Sequence, residues 1–108
     1  MINNVTLVGR LTRDPELKKV NDISVCAFTL AVDRNYKNSE GEKETDFIPV
    51  TAWRKLAEIC GDNLKKGRMV GVCGRIQTKT WENGEGKKSR TTEVVADNVV
   101  FLDKKIDD

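Results

Sequence analysis

The chain has 108 residues, with 19 Lys and Arg against 17 Asp and Glu, three Cys and no His. This length is sufficient for one domain with its own core, and the apolar runs are too short to span a membrane. The lack of His excludes Ser-His-Asp and Cys-His catalysis and His-ligated metal sites, so an enzyme would depend on carboxylates and lysines. A net charge of +2 is weak evidence for a nucleic-acid partner.

The N-terminal third of the chain is predicted to contain two strands. Residues 3–11 (NNVTLVGRL) alternate between apolar and polar side chains, which is typical of a strand, and Asp14-Pro15 ends it. Asn21-Asp22 predicts a turn, and residues 23–32 form a long second strand that is apolar on both faces.

The middle of the chain is predicted to contain a third strand and a helix. Residues 33–44 are polar and indicate an exposed loop or hairpin tip, and the third strand covers residues 45–53. Pro49 within this strand indicates an edge or a bulge, because proline cannot donate a ladder hydrogen bond. Residues 54–64 have apolar side chains at helical spacing, and Gly67 stops the helix.

Two more strands follow, over residues 69–77 and 90–101, with Asn83-Gly84 at the tip of the hairpin between them. Five strands with a helix between the third and fourth predict an all-β OB-fold, a Greek-key barrel partly closed by the helix. A long hairpin protrudes between strands four and five. We predict one OB domain over residues 1–102 and a short C-terminal extension over residues 103–108.

Five residues are predicted to be buried without a chemical role. The three cysteines, Cys26, Cys60 and Cys73, are widely spaced and form no CxxC pair, which argues against a zinc ribbon. Each lies in an apolar stretch and is interpreted as a small hydrophobic residue. Phe28 and Phe101 lack basic neighbours in the sequence and are predicted to lie in the core.

Four aromatic residues, Tyr36, Phe47, Trp53 and Trp81, lie at strand edges or in hairpins beside Lys and Arg. Phe47 and Trp53 are six residues apart in one strand, so alternation places them on one face, while the aliphatic residues between them fill the other. The strand is therefore predicted to bury its aliphatic side chains and expose its aromatic ones. Flat rings among cations fit the stacking of unpaired bases over a phosphate backbone.

Each ring also has a structural alternative. Trp81 could pack across its hairpin, Trp53 could cover the end of the barrel, and Phe47 could belong to a strand that is buried on both faces. Tyr36 could be an exposed tyrosine without a role. The basic residues near these rings are the predicted phosphate contacts, and the sequence does not decide among them: Arg10, Arg13, Arg34, Lys37, Arg54, Lys55, Arg75, Lys79, Lys87, Lys88 and Arg90.

From end to end, the chain resembles the bacterial-type single-stranded DNA-binding proteins. The resemblance depends on six fragments in order: NNVTLVGRL at 3–11, RDPE at 13–16, FTLAV at 28–32, KLAE at 55–58, LKKG at 64–67 and TTEVV at 91–95. It implies an OB-fold, usually a homotetramer, that binds single-stranded DNA without sequence preference. No cofactor or metal is predicted.

The resemblance also assigns roles to residues. Tyr36, Phe47, Trp53 and Trp81 match the stacking positions of the family, although Trp is often found where this chain has Tyr36 and Phe47. Phe is frequent at the position of Trp53. The N-terminal strand matches a subunit interface, which comprises Asn3, Asn4, Val5, Thr6, Leu7 and Val8.

Members of this family usually continue into a disordered linker with an acidic tip that recruits other proteins. This sequence stops at residues 103–108 (DKKIDD), where two lysines dilute the acidic charge. We therefore interpret it as a short form, either trimmed or natural, and recruitment through a tail is without support.

Taken together, these features predict a cytoplasmic, nucleoid-associated protein that is not an enzyme. It protects and organises single-stranded DNA in replication, recombination and repair. One alternative is an OB-fold protein-interaction subunit of a replication or primosome complex, in which the aromatic residues contact another protein. A second is a carboxylate-based nuclease, for which the Asp and Glu residues show no metal-like cluster.

Overall fold

The computed structural model describes residues 1–103 and contains six strands and one helix over that range. The helix, α1 (Arg54–Asn63), lies between β4 and β5. The strands are β1 (Val5–Leu11), β2 (Glu16–Val20), β3 (Ile23–Lys37), β4 (Lys43–Trp53), β5 (Met69–Glu82) and β6 (Lys88–Phe101).

Five of the strands close into a barrel. β1 pairs with β5 along most of its length and with β3 at Arg10 and Leu11, so the order around the barrel is β1-β5-β6-β4-β3. Only the β4–β6 pair is parallel in the described chain, at Val50 and Thr51. The predicted OB-fold is confirmed, with the helix between the third and fourth barrel strands and a long hairpin between the fourth and fifth.

The inward faces of the barrel strands form the core, and α1 covers one end of it. Val50, Val70 and Val72 are almost fully buried among these strands, and Cys60 of α1 packs against them. Burial raises the pKa of the Cys60 thiol to about 12, so this cysteine stays protonated and unreactive at neutral pH. The helix ends at Asn63, one residue earlier than predicted.

β2 is a strand that the sequence pattern did not predict. It pairs with β3 through a turn at Asn21-Asp22, where both residues have positive φ (51° and 66°), as in a type I′ turn. The turn was predicted, but the strand was not. All residues of Glu16–Val20 are exposed, so they show none of the alternation that marks a half-buried strand.

The two long hairpins end in turns of the same design. Asn38 Oδ1 accepts hydrogen bonds from the N–H groups of residues 40 and 42, and Asn83 Oδ1 accepts them from residues 85 and 87. Gly41 and Gly86 follow three residues after each Asn with φ near +80°, a conformation that favours glycine. The hairpin predicted at Asn83-Gly84 is confirmed, and the residue that needs left-handed backbone is Gly86.

One predicted core residue is not buried. Phe28 is in the core as expected, whereas Phe101 at the end of β6 is partly exposed. The guanidinium carbon of Arg68 lies 5.2 Å from the centroid of the Phe101 ring, within the range of a cation–π contact. The prediction that Phe101 lies in the core was wrong, because pairing of β5 with β6 leaves the ring exposed at the end of β6 and brings Arg68 beside it.

Asp103 contacts the barrel although it lies beyond the last strand. Its Oδ2 accepts a hydrogen bond from the Met69 N–H at 3.1 Å, and its Oδ1 accepts one from Arg68 Nε at 3.2 Å. The Met69 N–H, with help from Arg68 and Arg10, lowers the pKa of the Asp103 carboxyl. The boundary after residue 102 stays a prediction, and residues 104–108 lie outside the described residues.

The Asp103 contacts predict a pH-dependent contribution to stability. The folded-state pKa lies below the ordinary carboxyl value of 3.8, so the charged form is favoured by folding. The contribution of Asp103 to the free energy of unfolding is present above pH 3.8 and is lost as the pH falls through the folded-state pKa of this carboxyl. Asp103→Asn is expected to lower the urea midpoint at pH 7, and the difference from the wild type should shrink below pH 3.8. A difference of equal size at pH 7 and pH 3 would contradict this assignment.

Candidate nucleic-acid interface

Phe47 and Trp53 lie on the outer face of β4. In the β3–β4 register Phe47 is opposite Ala31 and Trp53 is opposite Val25, while the intervening Val50 points into the core. The Phe47 residue is 65% exposed and Trp53 is 36% exposed. The predicted division of this strand into a buried aliphatic face and an exposed aromatic face is confirmed.

Trp81 lies on the β5–β6 hairpin, opposite Ser89, and is 52% exposed. Lys79 is two residues away and therefore on the same face of β5. Arg90 is opposite Thr80, so it lies on the reverse face of the hairpin. The cations of this hairpin, which the sequence groups together, are thus divided between its two faces.

A polar contact joins β4 to the hairpin that carries Trp81. Thr51 Oγ1, on the outer face of β4, donates a hydrogen bond of 2.7 Å to Glu93 Oε2. Lys79 Nζ lies 3.2 Å from Glu93 Oε1, as an ion pair without hydrogen-bond geometry. Glu93 is mostly buried at this position. The outer faces of β3, β4, β6 and β5 are therefore one continuous surface, the aromatic face, which carries Phe47, Trp53 and Trp81.

Tyr36 is 66% exposed and lies near the end of β3. The β3–β4 register shifts between Asp33 and Lys37, immediately around this residue. The structure thus places Tyr36 on the hairpin that extends from the Phe47 end of the aromatic face. The ring has no stacking contact within residues 1–103.

Four of the predicted phosphate contacts pair with carboxylates of the chain. Arg34 donates to both Glu44 and Asp46, and its hydrogen bond to Asp46 lowers the pKa of that carboxyl. Arg75 lies 3.5 Å from Asp97. Arg10 donates to the Gly67 carbonyl and lies 3.9 Å from Asp103, and Lys79 pairs with Glu93 as described above.

The other predicted phosphate contacts have no carboxylate within 4 Å in the part of the chain that the structure describes. Their charge is therefore not offset by a close partner. They are distributed over the hairpins, the β1–β2 connection and the start of α1, and comprise Arg13, Lys37, Arg54, Lys55, Lys87, Lys88 and Arg90.

The register also places one basic residue in line with each aromatic residue of β4. Arg10 is opposite Ala31, which is opposite Phe47, so these three side chains form a row across β1, β3 and β4. Lys18 is opposite Val25, which is opposite Trp53, and this forms a second row. Sequence reasoning missed Lys18 because β2 was not predicted as a strand, and no local signal marked it.

The predicted subunit interface, residues 3–8, is part of β1 and the segment before it. The Asn3 side chain is hydrogen-bonded within the chain: its Nδ2 donates to the Ile76 carbonyl and its Oδ1 accepts from the Ile76 N–H, both at 2.9 Å. Val8 is exposed and forms a row with Gly71 and Val100 across β1, β5 and β6. We call this row, with the exposed Leu102, the apolar patch.

Within residues 1–103, no group of three or more Cys, Asp and Glu side chains is placed to hold a metal ion. The one helix of this region is too short and too polar to cross a bilayer.

Comparison with known sequences defines the family. A sequence model described as the Single-strand binding protein family matches residues 2–102. The chain belongs to this family. A "Single-stranded DNA-binding protein" of Caldanaerobacter subterraneus subsp. tengcongensis is 57% identical over 106 residues, which cover 97% of this chain and 71% of the relative.

Two further relatives agree with this result. A "Single-stranded DNA-binding protein" of Halalkalibacterium halodurans is 53% identical over 104 residues, covering 95% of this chain and 62% of that protein. A "Single-stranded DNA-binding protein 1" of Streptococcus pyogenes is 50% identical over 106 residues, covering 97% and 82%. The resemblance inferred from six sequence fragments is confirmed. The chain covers 71%, 62% and 82% of the lengths of these three relatives, in the order named.

Proposed function

We propose that the chain binds single-stranded DNA without sequence preference and protects unpaired strands in replication, recombination and repair. The names of its relatives support this ligand. The observation that carries the mechanism is the aromatic face, where three rings remain exposed although the core is complete without them. A nucleoid-associated place in the cytoplasm follows from this ligand.

In this mechanism the rings stack on bases while cations hold the phosphates. Phe47, Trp53 and Trp81 accept bases along the aromatic face, and Tyr36 extends the path onto the β3–β4 hairpin. Every base has a π-face, so stacking tolerates any sequence. Phe47 and Trp53 are about 20 Å apart along β4, from a rise of about 3.3 Å per residue, so they stack on different bases.

The Lys and Arg residues contribute unequally to phosphate binding in this proposal. Those without a close carboxylate keep their full charge and are the principal phosphate contacts in this proposal. Arg34 contributes least, because its guanidinium is shared between Glu44 and Asp46 and it orders the β3–β4 hairpin instead. Arg10 lies in the row of Phe47, two strands away, and Lys79 is two residues from Trp81. A phosphate at either place would compete with their present partners.

Tryptophan fluorescence tests this function, since Trp53 and Trp81 are the two tryptophans of the chain. Oligo-dT is expected to quench their emission at low salt. Added salt should reverse the quenching with a log–log slope of about −0.7 for each phosphate neutralised. No quenching at low salt would reject the proposal and favour the protein-interaction subunit. The chain acts as a binding protein rather than an enzyme, and Mg²⁺-dependent cleavage of the same oligonucleotide would contradict this.

We further propose that copies of the chain associate as a homotetramer through residues 3–8 and the apolar patch. A contiguous exposed apolar row is typical of an interaction surface. Light scattering is expected to give four chain masses with and without oligo-dT. A single chain mass at micromolar concentration would reject this interface.

A further inference from the structure

The middle of the aromatic face holds a carboxylate, that of Glu93 on β6. It lies on the same face of the β5–β6 hairpin as Lys79 and Trp81. Thr51, two residues before Trp53 on β4, donates to it across the sheet. A DNA strand that passes from the rings of β4 to Trp81 therefore crosses Glu93, although a carboxylate repels phosphate. The carboxylate lies in the path of the ligand and not at its margin.

The carboxylate of Glu93 is held in place by burial and by Thr51. Its side chain is only 15% exposed, and Thr51 Oγ1 donates to Oε2 at 2.7 Å. The other oxygen, Oε1, is buried and receives no hydrogen bond in the described chain, and Lys79 Nζ lies 3.2 Å from it. Lys79 therefore offsets the charge on Oε1. Removing one partner of a buried charge pair is costly, because the other charge is left uncompensated.

A second ion pair between the same two strands lacks this anchoring. The Asp97 side chain is 65% exposed and lies 3.5 Å from that of Arg75, which is 51% exposed. Water can solvate both charges when they separate, and exposed ion pairs of this kind contribute little to stability. Glu93 differs because burial and the bond from Thr51 keep its carboxylate at the aromatic face when Lys79 leaves it.

We propose that Glu93 is an internal counter-ion of the DNA site, which pairs with Lys79 in the free protein and competes with phosphate for it. This role rests on the proposed function and adds a positioning residue that limits the affinity of the site. A phosphate that binds Lys79 gains a cation but uncovers the carboxylate of Glu93 beside it. The gain and the cost largely cancel, so Lys79 contributes little net affinity and the strand dissociates more readily at this point.

The salt dependence of DNA binding reports on this pairing. A lysine that neutralises a phosphate of a single strand releases counterions and contributes about −0.7 to the slope of log K against log salt. When Lys79 leaves Glu93, the uncovered carboxylate attracts a cation from solution, and this uptake offsets the release. The wild-type pair is therefore expected to contribute almost nothing to the slope.

Glu93→Gln tests the counter-ion role, because it removes the charge but keeps an oxygen that can accept from Thr51. Its affinity for oligo-dT at low salt is expected to rise by about three- to tenfold. The slope should become steeper by about 0.7, because Lys79 then serves the phosphate alone. Glu85→Gln removes the same charge from the exposed tip of the same hairpin and is the control. It should keep the wild-type slope, with an affinity within about twofold of the wild type.

A double variant shows whether the effect of Glu93 passes through Lys79. Lys79→Gln combined with Glu93→Gln removes the pair as a neutral unit, so its affinity and slope are expected to return to the wild-type values. If the double variant kept the full gain of Glu93→Gln, the gain would come from general repulsion by the carboxylate, and the proposal would be wrong. A folding defect does not imitate the expected result, because a less stable variant would bind less DNA and not more.

The same titrations separate this role from the proposed function. Wild-type affinity and slope in Glu93→Gln would overturn the counter-ion role and leave DNA binding by the aromatic face intact. A weaker affinity in Glu93→Gln would mean that the carboxylate assists DNA binding, which would also overturn the role. Absence of oligo-dT binding by the wild type would reject both the counter-ion role and the proposed function.

Discussion

Phe47→Ala is expected to weaken oligo-dT binding by about 1–3 kcal/mol, which is roughly a 5- to 150-fold increase in Kd. The ring is the most exposed on β4 and faces away from the core, so its loss removes a stacking surface and creates no cavity. Stability should therefore change by less than about 1 kcal/mol. Fluorescence titration and urea unfolding of the same preparation measure the two effects.

Two further variants distinguish base stacking on the Phe47 ring from a general effect of exposed apolar surface. Phe47→Trp enlarges the stacking surface and is expected to bind oligo-dT at least as tightly as the wild type. Ile76→Ala removes another exposed apolar side chain, but one on the reverse face of β5, and should leave the affinity unchanged. An equal loss of affinity in Phe47→Ala and Ile76→Ala would argue against a defined aromatic face.

Gly74→Ala is expected to cause the largest loss of stability, of about 3 kcal/mol or more. A Cβ atom at Gly74 would lie 2.9 Å from the carbonyl carbon of Val95 and closer still to its oxygen. Both are backbone atoms of β6, at the point where the β5–β6 register shifts, so neither can move without breaking the ladder. Thermal unfolding should show a decrease in Tm of more than about 10 °C.

Gly84→Ala is the matched control for this substitution. No atom lies within 4 Å of a Cβ placed there, and its φ is compatible with an L-residue. Its Tm should stay close to that of the wild type. If Gly74→Ala unfolded within a few degrees of Gly84→Ala, the close packing of β5 on β6 would be incorrect.

The fold was largely predictable because its signals are local. Residues 45–53 alternate, residues 54–64 have helical spacing, and the helix falls between the third and fourth barrel strands, which specifies the OB topology. β2 was not predictable in this way, since its five exposed residues are held by pairing with β3 and not by burial. The full lengths of β3 to β6 were also missed, because their hairpin ends are exposed on both faces.

The candidate site was predictable at the level of residue type. Exposed rings beside cations marked Phe47, Trp53 and Trp81 without any knowledge of their spacing in three dimensions. What the sequence could not supply was the pairing of charges. Arg34 donates a hydrogen bond to Asp46, twelve residues later in the sequence, across the β3–β4 hairpin. Lys18 lies in line with Trp53 only because β2 pairs with β3.

The β5–β6 hairpin beyond the barrel has a further consequence. Every residue from 75 to 88 is exposed, so this part of the sheet buries almost no apolar surface. A two-stranded ribbon of this kind is only marginally stable alone, and its amides should open far more readily than those of the barrel. Selection can therefore alter the ribbon around Trp81, and with it the affinity and kinetics of binding, without weakening the folded barrel that carries it.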